Sequence, residues 1–169
     1  MNTVDSLLTI AEVAVAFAGF STLASLIGNR ASRDDRRVDA MRLANVVTSS
    51  LLVVALAFLP VLLLDFIGPD NIVWMVSSLI AAVCAILAAL LGRRRKIQAQ
   101  SLPGFSARTY YFGIFLGLIS IAGFAINATG APGVYSHKIY QGALLLALAV
   151  SGIQFSQVVT SLLESKPSK

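Results

Sequence analysis

The strongest constraint on the fold is a set of five long apolar segments that contain a single charged residue between them. They extend from about Leu7 to Gly28, Leu43 to Leu64, Ile72 to Leu91, Tyr110 to Ile126 and Ile139 to Leu163. A bilayer core about 30 Å thick needs about 20 apolar residues in an α-helix. The segments therefore predict an all-α integral membrane protein with five transmembrane helices, in which residues 1–169 form one membrane domain.

Composition excludes the main soluble classes of protein. Of the 169 residues, 57% are hydrophobic and 12% are charged, and the mean hydropathy is +0.81. A soluble domain normally has about 25% charged residues, so this chain has too few to cover a water-facing surface. We therefore expect neither a disordered chain nor a nucleic-acid-binding domain. The formal net charge of +5 is interpreted as a determinant of membrane topology.

The positive charges gather on one side of the five-span arrangement. The loops at 29–42 and 92–109 and the C-terminal tail hold every lysine and arginine except Lys138. The positive-inside rule places this side in the cytoplasm and the N-terminus outside. The first segment lacks the basic start of a signal peptide, so it is expected to remain as a helix. We predict a multi-pass protein of the cell membrane, with the bacterial inner membrane as its expected location.

The second and third helices are expected to extend beyond the membrane into the cytoplasm. Ser32–Asp35 has the pattern of a helix start with acids in the first turn, and the third helix is expected to continue to about Gln100. The basic residues on these extensions form a predicted basic collar: Arg36, Arg37, Arg42, Arg93, Arg94, Arg95 and Lys96. The lipid bilayer itself, and anionic lipid head groups at this collar, are expected partners.

Aromatic residues and a proline mark the opposite, outer half of the chain. Trp74, Tyr135 and Tyr140 are expected near the outer membrane interface, where amphipathic rings are enriched. Pro60 lies within the second segment and is expected to kink its outer part. The triplet Asn127-Ala128-Thr129 matches a glycosylation sequon that lies close to the predicted membrane boundary.

Glu12 is the charged residue that the span assignment leaves inside the membrane. It lies seven residues after Asp5, which is about 10 Å along a helix. An isolated carboxylate at this depth is costly, so Glu12 is expected to be paired, hydrated or protonated. One interpretation is an ion or proton site, or a ring of carboxylates in an oligomeric pore. The other is a neutral side chain that hydrogen-bonds between helices.

Two further sets of polar residues extend this hypothesis. Three serines at a similar depth are predicted partners of Glu12 within one subunit: Ser77, Ser78 and Ser120. Nearer the cytoplasm, two helices each carry a polar stripe, formed by Asn45, Thr48 and Ser49 on the second and by Ser151, Gln154, Gln157 and Ser161 on the fifth. These stripes either line a water-filled vestibule or hydrogen-bond to one another.

The first helix carries small residues on two sides. Ala16 and Gly19 follow Glu12 on one face, and the opposite face holds Ala14, Ala18, Ser21 and Ser25. Small residues let helices approach closely in lipid. We therefore expect this helix to pack against its own bundle on one face. The other face, with Gly19, is expected to meet a second subunit or a pore.

Chemistry-bearing motifs are absent from the sequence, so an enzyme is not expected. The single cysteine and the single histidine exclude an internal disulfide and a multi-histidine metal site. The sequence contains no glycine-rich phosphate-binding loop. No catalytic residue, metal or cofactor is therefore predicted.

Two functions remain open at the level of the sequence. Five helices are too few to enclose a roomy pathway alone, so the first is a homo-oligomeric ion channel or pore that the subunits line together. A carboxylate ring at Glu12 favours cations, whereas the basic collar favours anions. The second is a non-transporting scaffold, sensor or accessory subunit, in which Glu12 serves helix packing or partner binding.

Overall fold

Five α-helices account for nearly all of the described chain. The computed structural model describes residues 3–27, 33–67, 70–99 and 107–164. The helices are α1 (Thr3–Ile27), α2 (Arg33–Ile67), α3 (Asp70–Ala99), α4 (Ala107–Ala128) and α5 (Ser136–Glu164). A turn and a short 3-10 helix, Gly133–Tyr135, connect α4 to α5. Each α-helix is long and apolar enough to cross a membrane, which confirms the all-α class and the predicted number of spans.

The apolar spans differ from the predicted boundaries mainly at the first and fifth helices. They are Thr3–Leu23, Leu43–Phe66, Asn71–Leu91, Tyr111–Ala128 and Gly133–Gln157. The three middle spans agree with the prediction to within two residues. The first begins four residues earlier and the fifth six residues earlier. At the fifth span, the earlier start arises because the span includes the 3-10 helix Gly133–Tyr135 ahead of α5.

The predicted helical extent of two helices is confirmed, and the position of these helix ends in the cytoplasm stays a prediction. Helix α2 begins at Arg33 and α3 continues to Ala99, so both run beyond the apolar spans on the side predicted to be cytoplasmic. The side chains of the basic collar lie outside the described residues, and the collar stays a prediction. Following the predicted topology, we call the end at which α1, α3 and α5 begin the outer end of the bundle.

Each helix packs against the next one in sequence, and α5 closes the bundle. Helix α5 returns to contact both α1 and α2, and α2 and α5 meet across the middle. Two glycines bring neighbours close to α5. A Cβ added at Gly123 of α4 would lie 3.1 Å from the Cβ of Ala143, and one at Gly152 would lie 3.3 Å from the ring of Phe17. Helix α1 occupies an edge position, in contact with α2 and α5.

An aromatic cluster forms the outer part of the core. The ring of Tyr140 packs 5.7 Å from Trp74 and 5.3 Å from Phe124, measured between ring centroids. All three side chains are buried, whereas Tyr135 is exposed. Trp74 and Tyr140 therefore face the interior of the bundle, and their predicted depth near the outer membrane interface stays a prediction. Their rings lie inside the protein because four neighbouring helices enclose them.

The hydroxyl of Tyr140 replaces a backbone hydrogen bond that α2 lacks. Pro60 is buried inside this helix, which continues through it. Proline has no N–H, so the carbonyl of Leu56, four residues earlier, loses its usual helical partner. Tyr140 donates a hydrogen bond to this carbonyl at 2.6 Å. A polar group that water cannot reach inside a membrane is thereby satisfied from a neighbouring helix.

Removing this hydroxyl tests its contribution to stability. We expect Tyr140→Phe to lower the free energy of unfolding by about 1–3 kcal/mol, because the Leu56 carbonyl stays buried without a partner. In a Pro60→Ala background the alanine N–H satisfies the same carbonyl, so the loss should become smaller. Unfolding in mixed micelles of a mild detergent and dodecyl sulfate measures both values, with Tyr135→Phe as the exposed control. An equal loss in the two backgrounds would contradict this role.

Candidate functional site

Glu12 lies on the face of α1 that turns away from the bundle. The inward face of α1 consists of the buried residues Leu7, Ile10, Ala11, Ala14 and Ser21. The outward face carries exposed residues spaced three or four positions apart, which places them in one stripe. We call this stripe the Glu12 face; its members are Asp5, Thr9, Glu12, Ala16 and Gly19. Of the two faces predicted for α1, one packs against the bundle and the other is exposed.

The depth of Glu12 makes its exposure costly. The apolar span of α1 is Thr3–Leu23, and Glu12 lies close to its centre. A carboxylate at the centre of a spanning helix costs about 2.5–3.5 kcal/mol on insertion scales. Ionisable groups in spanning helices almost always face a bundle interior or a water-filled cavity. In the single chain, the Glu12 side chain faces neither.

The Glu12 face is also shaped for close contact. A Cβ added at Gly19 would meet no atom within 4 Å, and Ala16 is the residue between Gly19 and Glu12 on the stripe. Thr9 donates its hydroxyl to the carbonyl of Asp5 at 2.9 Å, so this hydroxyl is already partnered within α1. The stripe carries two carboxylates, Asp5 and Glu12, and small side chains around Glu12.

The structure does not bring the three predicted serines to Glu12. Ser77 and Ser78 are buried on α3 and Ser120 is buried on α4, whereas α1 packs against α2 and α5. The Ser120 hydroxyl donates to the carbonyl of Ala143 at 2.7 Å. The Ser78 hydroxyl accepts a hydrogen bond from Asn127 of α4. Ser78 and Ser120 therefore serve contacts among α3, α4 and α5.

Asn127 is the polar core residue that sequence reasoning missed. Its side chain is fully buried, and its Nδ2 donates to the hydroxyl of Ser78 at 2.7 Å. Its Oδ1 and the hydroxyl of Ser77 are buried without a partner among the described residues. The position of Asn127 at the end of a span suggests a surface residue, which explains the omission. Burial also makes the predicted sequon inaccessible in the folded protein.

The two inner polar stripes meet where α2 packs against α5. Ser151 donates a hydrogen bond to the hydroxyl of Ser49 at 2.9 Å, and Ser49 lies 3.4 Å from Oε1 of Gln154. Asn45 is half-buried and Thr48 is exposed. Ser49, Ser151 and Gln154 therefore hydrogen-bond between helices, which is the second of the two predicted alternatives. Gln157 is half-buried, and the side chains of Ser25 and Ser161 lie outside the described residues.

A cleft of about 300 Å³ opens at the outer end of the bundle, between four helices. Its lining comprises Thr3, Val4 and Leu7 of α1, Val61 and Leu64 of α2, Trp74 of α3 and His137 of α5. The ring of His137 lies 6.3 Å from that of Trp74. Beside the cleft, Nε2 of Gln141 donates to the carbonyl of Thr3 at 3.0 Å and ties α1 to α5. No sequence pattern predicted this cleft.

Neither clustered metal ligands among the described residues nor similarity to a known protein indicates the function. Within the described ranges, no three side chains of His, Cys, Asp or Glu lie close enough together to hold a metal ion. The chain matches no protein-family model, no curated protein and no solved structure. The function is therefore inferred from the Glu12 face, the buried hydrogen bonds and the outer cleft.

A substitution at Asn127 tests whether its buried hydrogen bond stabilises the bundle. We expect Asn127→Ala to lower the free energy of unfolding by about 1–3 kcal/mol, because Ser78 loses its donor and a small void opens. Ile126→Ala, at the exposed neighbouring position, should cost less. The same mixed-micelle unfolding measures both variants. Equal values for the two would show that the Asn127 bond adds nothing to packing at the outer end.

Proposed function

We propose that the protein is one subunit of a homo-oligomeric ion channel or pore, with the Glu12 face of each copy turned to the shared axis. The observation that carries the proposal is the exposed carboxylate of Glu12 near the centre of the apolar span of α1. Lipid is the least favourable surrounding for this group. Water or a second protein surface must therefore cover it, and a pathway between copies supplies both.

The packing of the single subunit favours a pathway between copies over one through its middle. The interior between the helices is filled by apolar side chains such as Val53 and Leu56 of α2, Phe124 of α4 and Leu144 of α5. An ion passing there would lose its hydration among mainly apolar side chains. Symmetric oligomers place identical faces around an axis, and α1 at the edge of the bundle is free to occupy that place.

The chemistry of the Glu12 face supports cations as the permeating species. Asp5 and Glu12 lie on the same stripe, about 10 Å apart along the helix. Repeated around an axis, they form two rings of carboxylates, an arrangement that favours cations. Ala16 and Gly19 permit copies of α1 to approach closely at the level below Glu12.

A non-transporting scaffold, sensor or accessory subunit is the second candidate. One observation favours it: Ser49, Ser151 and Gln154 bond to one another between α2 and α5 and do not face outward. In this case a protonated Glu12 would hydrogen-bond across a dry interface with a second copy or another membrane protein. The two candidates share the contact surface and differ in whether it holds water.

Ion flux through liposomes that contain the purified protein tests the first candidate. We expect wild-type protein to pass monovalent cations and Glu12→Gln to reduce the flux by about tenfold, equivalent to about 1.4 kcal/mol of lost attraction for the ion. Asp65→Asn, which removes an exposed carboxylate outside the Glu12 face, should leave the flux near the wild-type value. Equal flux for wild type and Glu12→Gln would remove Glu12 from the pathway.

Cysteine cross-linking tests the shared contact surface independently of transport. In a Cys84→Ala background, Ala16→Cys should form disulfide-linked dimers in membranes, because copies of the Glu12 face lie close together. Leu118→Cys, exposed on α4, is the matched control and should remain monomeric. Cross-linking without flux would favour the scaffold, sensor or accessory role, and the absence of cross-linking would contradict an interface at this face.

A further inference from the structure

Leu23 continues the line of the Glu12 face one turn beyond Gly19, at the last residue of the apolar span of α1. We infer that the Leu23 side chains of the copies form an apolar gate, the level of the pathway at which the passage of cations is limited. Leu23 can act in this way only where the Glu12 face lines a pathway between copies, so the gate rests on the proposed function and adds where that pathway closes.

The angular position of Leu23 places it in the middle of the Glu12 face. An α-helix has about 3.6 residues per turn, so positions 18 apart are separated by about five full turns and lie in line. Asp5 and Leu23 are such a pair, and the other members of the face lie within about 40° of the line between them. The exposed apolar residues that flank this line by about 60–80° are Leu8, Val13, Val15 and Phe20. Among the described side chains of α1, Leu23 is therefore the large apolar one whose direction is closest to that of Glu12.

The side chains around Leu23 offer an ion little compensation for lost water. Leu23 is 55% exposed, and its side chain carries no oxygen. The two preceding hydroxyl groups are engaged within α1: Ser21 donates to the Phe17 carbonyl at 2.6 Å and Thr22 to the Ala18 carbonyl at 2.9 Å. Ser21 is also fully buried on the opposite side of the helix. The level of Leu23 is therefore apolar where it faces outward.

The small residues before Leu23 bring the leucines of different copies together. Between Glu12 and Leu23 the line of the face carries Ala16 and Gly19, and a Cβ added at Gly19 would meet no atom within 4 Å. Small residues let helices approach closely. The nearer the copies of α1 come at these two positions, the closer the longer leucine side chains come to each other across the shared axis. The pathway is therefore narrowest at Leu23.

The gate and the carboxylate have separate tasks along the pathway. Glu12 lies near the centre of the span Thr3–Leu23 and Leu23 at its end, which separates the two by about 16 Å along the helix. A ring of carboxylates favours cations, whereas an apolar constriction gates by excluding water. Substitution of Leu23 should therefore change the rate of flux and leave the preference for cations over anions intact.

Leu23→Asn tests the gate because it replaces an apolar side chain with a polar one of similar length. We expect it to raise the cation flux through liposomes that contain the purified protein by about tenfold, with the ratio of cation to anion flux unchanged. Leu91→Asn is the matched control, because Leu91 is the last residue of the span of α3 and is 57% exposed. Leu91 lies on a different helix from the Glu12 face, so this variant should keep the wild-type flux.

Two apolar substitutions change only the size of the side chain and should move the flux in opposite directions. Leu23→Ala widens the constriction and should raise the cation flux, whereas Leu23→Phe fills it and should lower the flux. The same changes at Leu91 should leave the flux at the wild-type value. This pair replaces Leu23→Asn if that variant does not fold, as judged by helicity and elution volume.

The outcomes distinguish failure of the gate from failure of the pathway. Equal flux in wild type and all three Leu23 variants, with reduced flux in Glu12→Gln, would overturn the gate and leave the pathway intact. An equal rise in Leu23→Asn and Leu91→Asn would also overturn it, because any polar group at the end of a span would then make the membrane leak. Absence of flux in wild type and in every Leu23 variant would contradict the pathway and the gate together. Changes in flux confined to position 23, in the directions given, would support the gate.

Discussion

The hydrogen bond from Tyr140 to the Leu56 carbonyl shows the constraint on which this bundle depends. Inside a membrane, every backbone polar group needs a partner within the protein, and Pro60 removes one from α2. Helix α5 supplies it, and supplies similar bonds elsewhere: to α1 through Gln141, to α3 through Ser136, and to α4 through the Ala143 carbonyl. Because lipid gives apolar helices little reason to prefer one another, these directional bonds specify how α5 meets each of its neighbours.

Features of the fold that depend on a single segment could be predicted from the sequence. The number of spans and the long extension of α2 and α3 follow from apolar length and helix signals within each segment. The bond from Tyr140 was not predicted, because a tyrosine 84 positions after its acceptor reveals nothing until the two helices are known to touch. Tyr140 was accordingly interpreted as an interfacial ring, and Asn127 was left at the surface.

The same distinction applies to the candidate sites. Glu12 was found because a charge within an apolar segment is visible in the sequence itself. The three serines proposed as its partners lie on α3 and α4, away from Glu12, since equal depth does not make helices neighbours. Asp5 and Thr9 join the Glu12 face only once the inward face of α1 is known. The outer cleft is invisible in the sequence because each of four helices contributes only one to three residues to its lining.

The role of α5 has a consequence for how the protein is made. Helix α5 follows the other four helices in the chain, so the Leu56 carbonyl and the Ser49 hydroxyl lack their α5 partners while the earlier helices are inserted. Before α5 is made, the first four helices already include four apolar spans but lack the hydrogen bonds that α5 supplies. Addition of α5 supplies these hydrogen bonds. Nascent chains stalled before residue 136 are therefore the forms that a membrane quality-control protease would find easiest to distinguish from the finished protein.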